Sequence, residues 1–357
     1  MKKIIEAIGQ LSSGKLQKRH WVGLSKTVGQ TVEDNNPNFC FETMVKLEIH
    51  KFLPQVTELN DTAIKEANIE KTLKDITKTW SEKAFTFESF QISGEDIKIP
   101  KQFDEIQNDL STDNLKVLSL LSQGKSVEIF KADLDNLKAR LGSIDDSLVV
   151  WEKVQKNWKR LVNIFMLSED IRNQLPEATK VFEQKNGDFR NTLAEAVNNP
   201  IMYDLCSTEL KENLDGILKG IETCEKQLNQ YLEQKKKIFP RFYFVSNQTL
   251  IDILSNGNNP TKIASEYLGD LFDGLKKLII AKAREGDLTV KCEAMYSKDD
   301  EVVPFFTPFE PTEAVEIWLN KLEYKMRETL EAYLSRAKKE AEVNLRANAA
   351  ENPNSMD

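Results

Sequence analysis

The longest regular pattern in the chain is TELKENLDGILKGIETCEKQLNQYLEQKKKI, residues Thr208–Ile238. Its apolar residues recur at steps of three and four and fall within one arc, which is typical of an amphipathic α-helix. At 1.5 Å per residue this helix would be about 45 Å long, longer than a compact domain usually needs. The stretch therefore predicts a helical protein of elongated shape.

Further helices are predicted on both sides of this stretch. Before it, residues 127–141 and residues 143–165 each carry an apolar stripe, and we predict a break between them at Gly142. The second stripe includes Trp151 and Trp158 two turns apart, which indicates a packing seam rather than a ligand pocket. The other long helices are predicted over residues 60–80, 176–198, 261–278 and 311–347.

Two short β-hairpins interrupt the helical pattern. Residues 85–90 alternate between apolar and polar side chains, and residues 97–100 resume the alternation after a turn. A second hairpin is predicted around the turn signal at residues 285–287. Residues 115–121 are apolar, but the run is too short for its periodicity to decide, so a strand and a short buried helix both stay open.

These elements predict a mainly α fold, an elongated rod of consecutive helical bundles with short β-hairpin insertions. Glycine (14) and proline (11) are scarce among the 357 residues, which favours long helices because both residues interrupt them. The predicted segments are an N-terminal helical or irregular segment (1–56), helices with a small β insertion (57–142), a long-helix bundle (143–240), helices with a β-hairpin and a long C-terminal helix (241–347) and a frayed tail (348–357).

Charge and composition exclude several classes of protein. The net charge is −8, and a nucleic-acid binder needs clustered positive charge, so we expect no nucleic-acid partner. No apolar run approaches the roughly 20 residues that span a bilayer, and the N-terminus lacks the pattern of a signal peptide, so we expect no membrane partner and no secretion. The four cysteines lie far apart and indicate reduced thiols: Cys40, Cys206, Cys224 and Cys292.

The sequence shows no catalytic apparatus. Gly124-Lys125-Ser126 resembles the end of a phosphate-binding loop, but Ser119 stands where that loop requires glycine. His20 and His50 are the only histidines, and neither has cysteine or carboxylate partners at a metal-binding spacing, so both are interpreted as packed or solvated side chains. We therefore predict no catalytic, cofactor-binding or metal-binding residues.

Several stretches of the sequence together form a specific pattern: Arg19-His20-Trp21, WEKVQKNW at 151–158, Asp170-Ile171, Gln174-Leu175-Pro176, YLEQKKK at 231–237, FPRFYFVS at 239–246, SNGN at 255–258 and MYSKD at 295–299. They resemble the linker, or N-terminal region 2, of dynein heavy chains, most closely those of the ciliary and axonemal outer arm. The resemblance covers roughly residues 15–340, and Asp300 departs from it because the family usually has glycine there.

The resemblance implies a mechanical function. The dynein linker is a helical lever that bends over a ring of AAA+ modules and produces the power stroke of a microtubule motor. ATP and Mg²⁺ would bind in that ring, not in this chain, which is expected to be no enzyme. The implied partners are the AAA+ ring of the same heavy chain and the other dynein chains, in the cytoplasm or cytoskeleton and the axoneme of cilia. Two alternatives are a static helical scaffold or adaptor without a motor role, and an enzyme whose site the sequence conceals.

Two groups of residues are candidates for a mechanical role. Gly216 and Gly220 lie on adjacent turns of the longest predicted helix, where they would either soften the helix as a hinge or let a neighbouring helix approach. Phe242, Tyr243 and Phe244 follow its end, where the rings would either fill the core or dock on the AAA+ ring.

Overall fold

α-Helices make up most of the chain in this computed structural model, which describes residues 2–30, 32, 41–92, 94–257, 259–281 and 290–351. The predicted mainly α class with short β insertions is confirmed. The helices are α1 (Lys2–Leu11), α2 (Lys18–Val28), α3 (Phe41–Lys46), α4 (Leu53–Glu82), α5 (Phe103–Leu121), α6 (Lys131–Leu167), α7 (Glu169–Gln174), α8 (Pro176–Asn198), α9 (Met202–Leu205), α10 (Thr208–Ile238), α11 (Asn247–Ser255), α12 (Pro260–Glu266), α13 (Leu268–Leu271) and α14 (Val315–Glu351).

The strands form two separate antiparallel sheets. β1 (Phe87–Ile92) and β2 (Glu95–Pro100) make the first predicted hairpin, in which Phe87 pairs with Pro100. The second sheet has the order β3-β4-β5. Its strands are β3 (Leu275–Ala281), β4 (Lys291–Ser297) and β5 (Val302–Phe309). The turn signal at residues 285–287 that predicted this second hairpin lies outside the described residues.

The chain divides into two compact units, each built from two separate stretches. The first unit contains Met1–Lys156 and Asp188–Leu218, and the second contains Asn157–Gly187 and Lys219–Asp357. The dividing points fall inside α6, α8 and α10. The consecutive segments drawn from the sequence stay a prediction.

The N-terminal helices of the first unit surround a small apolar core. α1 and α2 pack on α4, and the buried residues that hold them are Ala7, Leu11, Trp21, Leu24, Val32, Ile49 and Val56. Beside this core, Glu66 of α4 accepts hydrogen bonds from Arg19 and His20 of α2. His20 is therefore a packed side chain with a carboxylate partner.

The structure of α5 answers a question that the sequence left open, and the structure of α6 corrects a prediction. Residues 115–121 belong to α5 and are helical. The break predicted at Gly142 is wrong, since α6 is continuous. Leu141, Ile144 and Leu148 are fully buried around the glycine, so apolar packing outweighs the roughly 1 kcal/mol that one internal glycine costs a helix.

The core of the second unit contains stacked aromatic rings. Phe165 of α6 stacks on Phe182 of α8, with their ring centroids 4.9 Å apart. The indole Nε1 of Trp158 donates a hydrogen bond to the side-chain oxygen of Asn186 at 2.8 Å. Trp151 is likewise fully buried in the first unit, against Phe85. Both tryptophans are core residues, as predicted.

The helix predicted over residues 261–278 is wrong at its C-terminal end. Helical structure ends at Leu271, and Leu275 begins β3. Pairing with β4 satisfies the backbone of β3, an interaction that the local pattern does not reveal. At the β4–β5 turn, Asp300 has a φ of 65°, the left-handed region that favours the glycine of the family pattern, and Lys276 pairs with its carboxylate at 2.9 Å.

Candidate functional site

The candidate site is a short 3-10 turn, Pro240–Phe244, that follows α10. Proline has no backbone N–H and cannot continue the helical hydrogen-bond ladder, so α10 ends before it. The turn is closed by two backbone bonds, in which the amides of Phe242 and Val245 donate to the carbonyls of Phe239 and Phe242. This geometry separates the three aromatic side chains that the sequence grouped together.

Phe242 points into the core of the second unit. It is fully buried and meets the ring of Phe239 edge to face, with the centroids 4.9 Å apart and the planes at 81°. Phe239 in turn lies 6.2 Å from Phe272. These aromatic contacts attach the turn to the core. A buried pair of aromatic rings stabilises the fold by about 1 kcal/mol beyond the contribution of its buried area.

Arg241 connects the turn to Leu271, Phe272 and α14. Its guanidinium lies 4.6 Å from the centroid of the Phe272 ring, donates to the carbonyl of Leu271 at 3.2 Å and pairs with Glu323 of α14 at 3.4 Å. We did not predict Arg241 as a site residue, although it stands in the FPRFYF run that carries the resemblance. Only the tertiary contacts show that this arginine orders the turn.

Tyr243 and Phe244 point to solvent. Their exposed fractions are 55% and 73%, which are high for aromatic residues. The hydroxyl of Tyr243 donates to Glu233 at 3.1 Å, and the Lys236 ammonium lies 5.4 Å from its ring centroid. Hydrogen bonds from Lys236 and Tyr243 lower the pKa of Glu233, so its carboxylate stays ionised at neutral pH. Tyr243 is thus held in place, beside an exposed Phe244.

The two candidate hinge glycines of α10 have different surroundings. Apart from the nearby backbone of α10 itself, a Cβ placed on Gly216 would meet no atom of the described residues within 4 Å. A Cβ placed on Gly220 would lie 2.6 Å from Cγ of Lys185 on α8, closer than any real contact. Close helix packing therefore accounts for Gly220 and does not account for Gly216.

This contrast predicts that replacing each glycine with alanine has a different effect on stability. Gly216→Ala is expected to raise the free energy of unfolding by about 1 kcal/mol, because alanine favours the helix and its methyl group meets open space. Gly220→Ala is expected to give no gain, or a loss, because Lys185 must move. Urea denaturation followed by circular dichroism measures both, and equal gains at the two positions would contradict the packing assignment.

The other sequence candidates form no second site among the residues that the structure describes. Gly124 begins a 3-10 turn, Gly124–Val127, that follows α5 rather than a strand. Among the residues that the structure describes, no group of histidine, cysteine, aspartate and glutamate has an arrangement suited to a metal ion. Cys206, Cys224 and Cys292 are buried free thiols, whereas Cys40 lies outside the described residues. A search of the described helices finds none that could span a membrane.

Comparison with known proteins identifies the family. A family model described as dynein heavy chain, N-terminal region 2, matches residues 1–337. The chain is 34% identical to the ciliary dynein beta chain of Heliocidaris crassispina, a match that covers 93% of this chain and 7% of the relative. It is 35% identical to the flagellar outer arm dynein beta chain of Chlamydomonas reinhardtii, over 90% of this chain and 7% of the relative.

A third relative extends the comparison to vertebrates. Dynein axonemal heavy chain 17 of Mus musculus is 33% identical over 91% of this chain and 7% of the relative. The chain therefore spans less than a tenth of the length of these relatives. The resemblance predicted from its motifs, including the similarity to the ciliary outer-arm type, is confirmed. By its match over residues 1–337, the chain belongs to the dynein heavy chain N-terminal region 2 family.

Proposed function

We propose that this chain is the linker of a dynein heavy chain, a lever that bends over an AAA+ ring to produce the power stroke of a microtubule motor in cilia. Family membership supports this role, as do the relatives whose names place them in cilia, flagella and axonemes. The proposed location is the axoneme. The proposed partners are the AAA+ ring of the same heavy chain and the other dynein chains.

The observation that carries the lever role is the exposure of Tyr243 and Phe244 on an ordered turn. Phe242 is buried beneath them, and Arg241 ties the same turn to α14. Binding hot spots are commonly aromatic side chains that the free protein already holds in position, because little conformational entropy is then lost on docking. We therefore assign docking on the ring to Tyr243 and Phe244, and a core role to Phe242.

Docking is tested by retention of the chain on a dynein ring from which the linker has been deleted. We expect Phe244→Ala to weaken retention roughly tenfold, which is typical of removing one aromatic anchor. Leu115→Ala is the matched control, since Leu115 of α5 is also a highly exposed apolar side chain. Equal retention of both variants would refute the docking assignment. Failure of the unmodified chain to bind would favour the static scaffold or adaptor.

The bending point is proposed at Gly216. Its position faces open space, so close packing does not explain the glycine, and a glycine inside a helix lowers local stability. In a full motor, Gly216→Ala is expected to slow linker bending and leave ATP binding unchanged. Unchanged bending kinetics alongside a stabilised helix would exclude a hinge at this residue.

The chain itself is proposed to be no enzyme and to need no cofactor, with ATP and Mg²⁺ bound by the ring of the parent motor. A phosphate-binding loop follows a strand and needs glycine at the position that Ser119 occupies. In this chain that residue is serine and a helix precedes Gly124, and both observations support the proposal. We expect no ATP turnover and no micromolar binding by calorimetry. Turnover that disappears in Lys125→Ala would contradict the proposal.

A further inference from the structure

Two buried polar atoms of α6, both in the first unit, lack a partner among the described residues. The indole Nε1 of Trp151 donates to no acceptor, and the side-chain oxygen Oε1 of Gln155 accepts from no donor. Trp151 is fully buried, and Gln155 is 7% exposed. Buried polar atoms are nearly always hydrogen-bonded, because losing water without gaining another partner is costly. The two atoms therefore need a partner that the described residues do not supply.

The orientation of the Gln155 amide is fixed by one hydrogen bond. Its nitrogen Nε2 donates to the backbone carbonyl of Pro100 at 2.9 Å. A carbonyl oxygen only accepts hydrogen bonds, so the nitrogen must face Pro100, and an exchange of the amide nitrogen and oxygen is excluded. Oε1 is therefore the atom without a partner, and it can only accept.

The two side chains meet at the base of the β1–β2 hairpin. Trp151 and Gln155 are one turn apart and share a face of α6, where such side chains begin about 5–6 Å from each other. The ring of Phe85 lies 5.3 Å from that of Trp151, measured between centroids. Phe85 is two residues before Phe87, which pairs with Pro100 in the hairpin. Both side chains of α6 therefore contact the same end of the hairpin.

We propose that a single water molecule binds between Trp151 and Gln155, accepts from the indole N–H and donates to Oε1. Water both accepts and donates, as this pair of atoms requires, whereas a cation is unsuited to the N–H group and an anion to the oxygen. Complementary atoms on neighbouring side chains that do not bond directly have the spacing of a water-mediated bridge. Because both atoms are inaccessible to solvent, a larger molecule that carries a hydroxyl group cannot reach them.

The bound water is detected on the full chain by nuclear magnetic resonance, as a nuclear Overhauser effect between water and the indole protons. The chain has five tryptophans, and the Trp151 signal is the one that disappears in Trp151→Phe. We expect a water cross peak at the Trp151 indole proton. Trp80 is the matched control, because its fully buried Nε1 donates directly to Asp113 at 2.9 Å, and it is expected to show none.

Two variants show whether the cross peak comes from the proposed bridge. Gln155→Met keeps the length of the side chain but has no amide oxygen, so the cross peak is expected to be lost. Ser147→Ala removes a buried hydroxyl one turn before Trp151, whose proton exchanges with water and would give the same signal. The cross peak is expected to remain in Ser147→Ala.

Diffraction from crystals of the unmodified chain gives an independent result, should Gln155→Met fail to fold. We expect one ordered water about 3 Å from both Nε1 of Trp151 and Oε1 of Gln155. A cross peak that is absent, persists in Gln155→Met or vanishes in Ser147→Ala would overturn the proposal. A direct bond between the two side chains in the crystal would also overturn it. This inference does not depend on the lever role of the chain.

Discussion

Phe242→Ala is expected to lower the free energy of unfolding by about 3–5 kcal/mol, the cost of deleting a fully buried aromatic ring. The ring is completely inaccessible to solvent and lies edge to face against Phe239. Its removal leaves a cavity beneath the 3-10 turn and frees the end of α10. Urea denaturation followed by circular dichroism measures the loss.

Phe244→Ala is the matched control for this variant. Both residues are phenylalanines of the same turn, but Phe244 is 73% exposed and its removal creates no cavity. We expect its urea midpoint to stay close to that of the unmodified chain. Comparable losses in the two variants would show that Phe244 also contributes to the core, and would contradict its assignment as a docking residue.

Glu66→Ala is expected to destabilise the first unit by about 2–3 kcal/mol, because it leaves a buried hydrogen-bond donor of His20 without its partner and removes a pair with the partly exposed Arg19. Oε2 of Glu66 accepts hydrogen bonds from Nε of Arg19 at 2.8 Å and from Nε2 of His20 at 3.0 Å. Nδ1 of His20 already accepts the amide hydrogen of Gln17, so Nε2 carries the proton. Alanine would leave that buried donor without its partner.

Glu70→Ala is the control on the same helix. Glu70 lies one turn further along α4 and binds Lys74 at 2.7 Å, but this pair is largely exposed. Exposed pairs contribute little because water solvates both charges. We therefore expect only a small change in the urea midpoint of Glu70→Ala. A similar shift in both variants would show that burial does not strengthen the interactions of Glu66.

Much of the candidate site could be predicted from the sequence, but not the role of each residue. The sequence placed Phe242, Tyr243 and Phe244 directly after the end of α10, and the FPRFYF run supported the family resemblance. The sequence pattern could not show that Phe242 is buried while Phe244 is exposed. Which side chains face the core depends on the backbone conformation, and a 3-10 turn has three residues per turn whereas a strand repeats every two. Arg241 was missed because its contacts come from α13 and α14.

The sequence by itself determined the helical class, the bounds of α10 and the first β-hairpin, because these depend on periodicity and on turn residues within a few positions. Tertiary structure decided the rest. Apolar packing keeps α6 helical across Gly142, and pairing with β4 places Leu275–Ala281 in a strand. Contact with Lys185 separated Gly220 from Gly216. In each case residues distant in sequence supply the burial or hydrogen bonds, and these outweigh the small local preferences of the backbone.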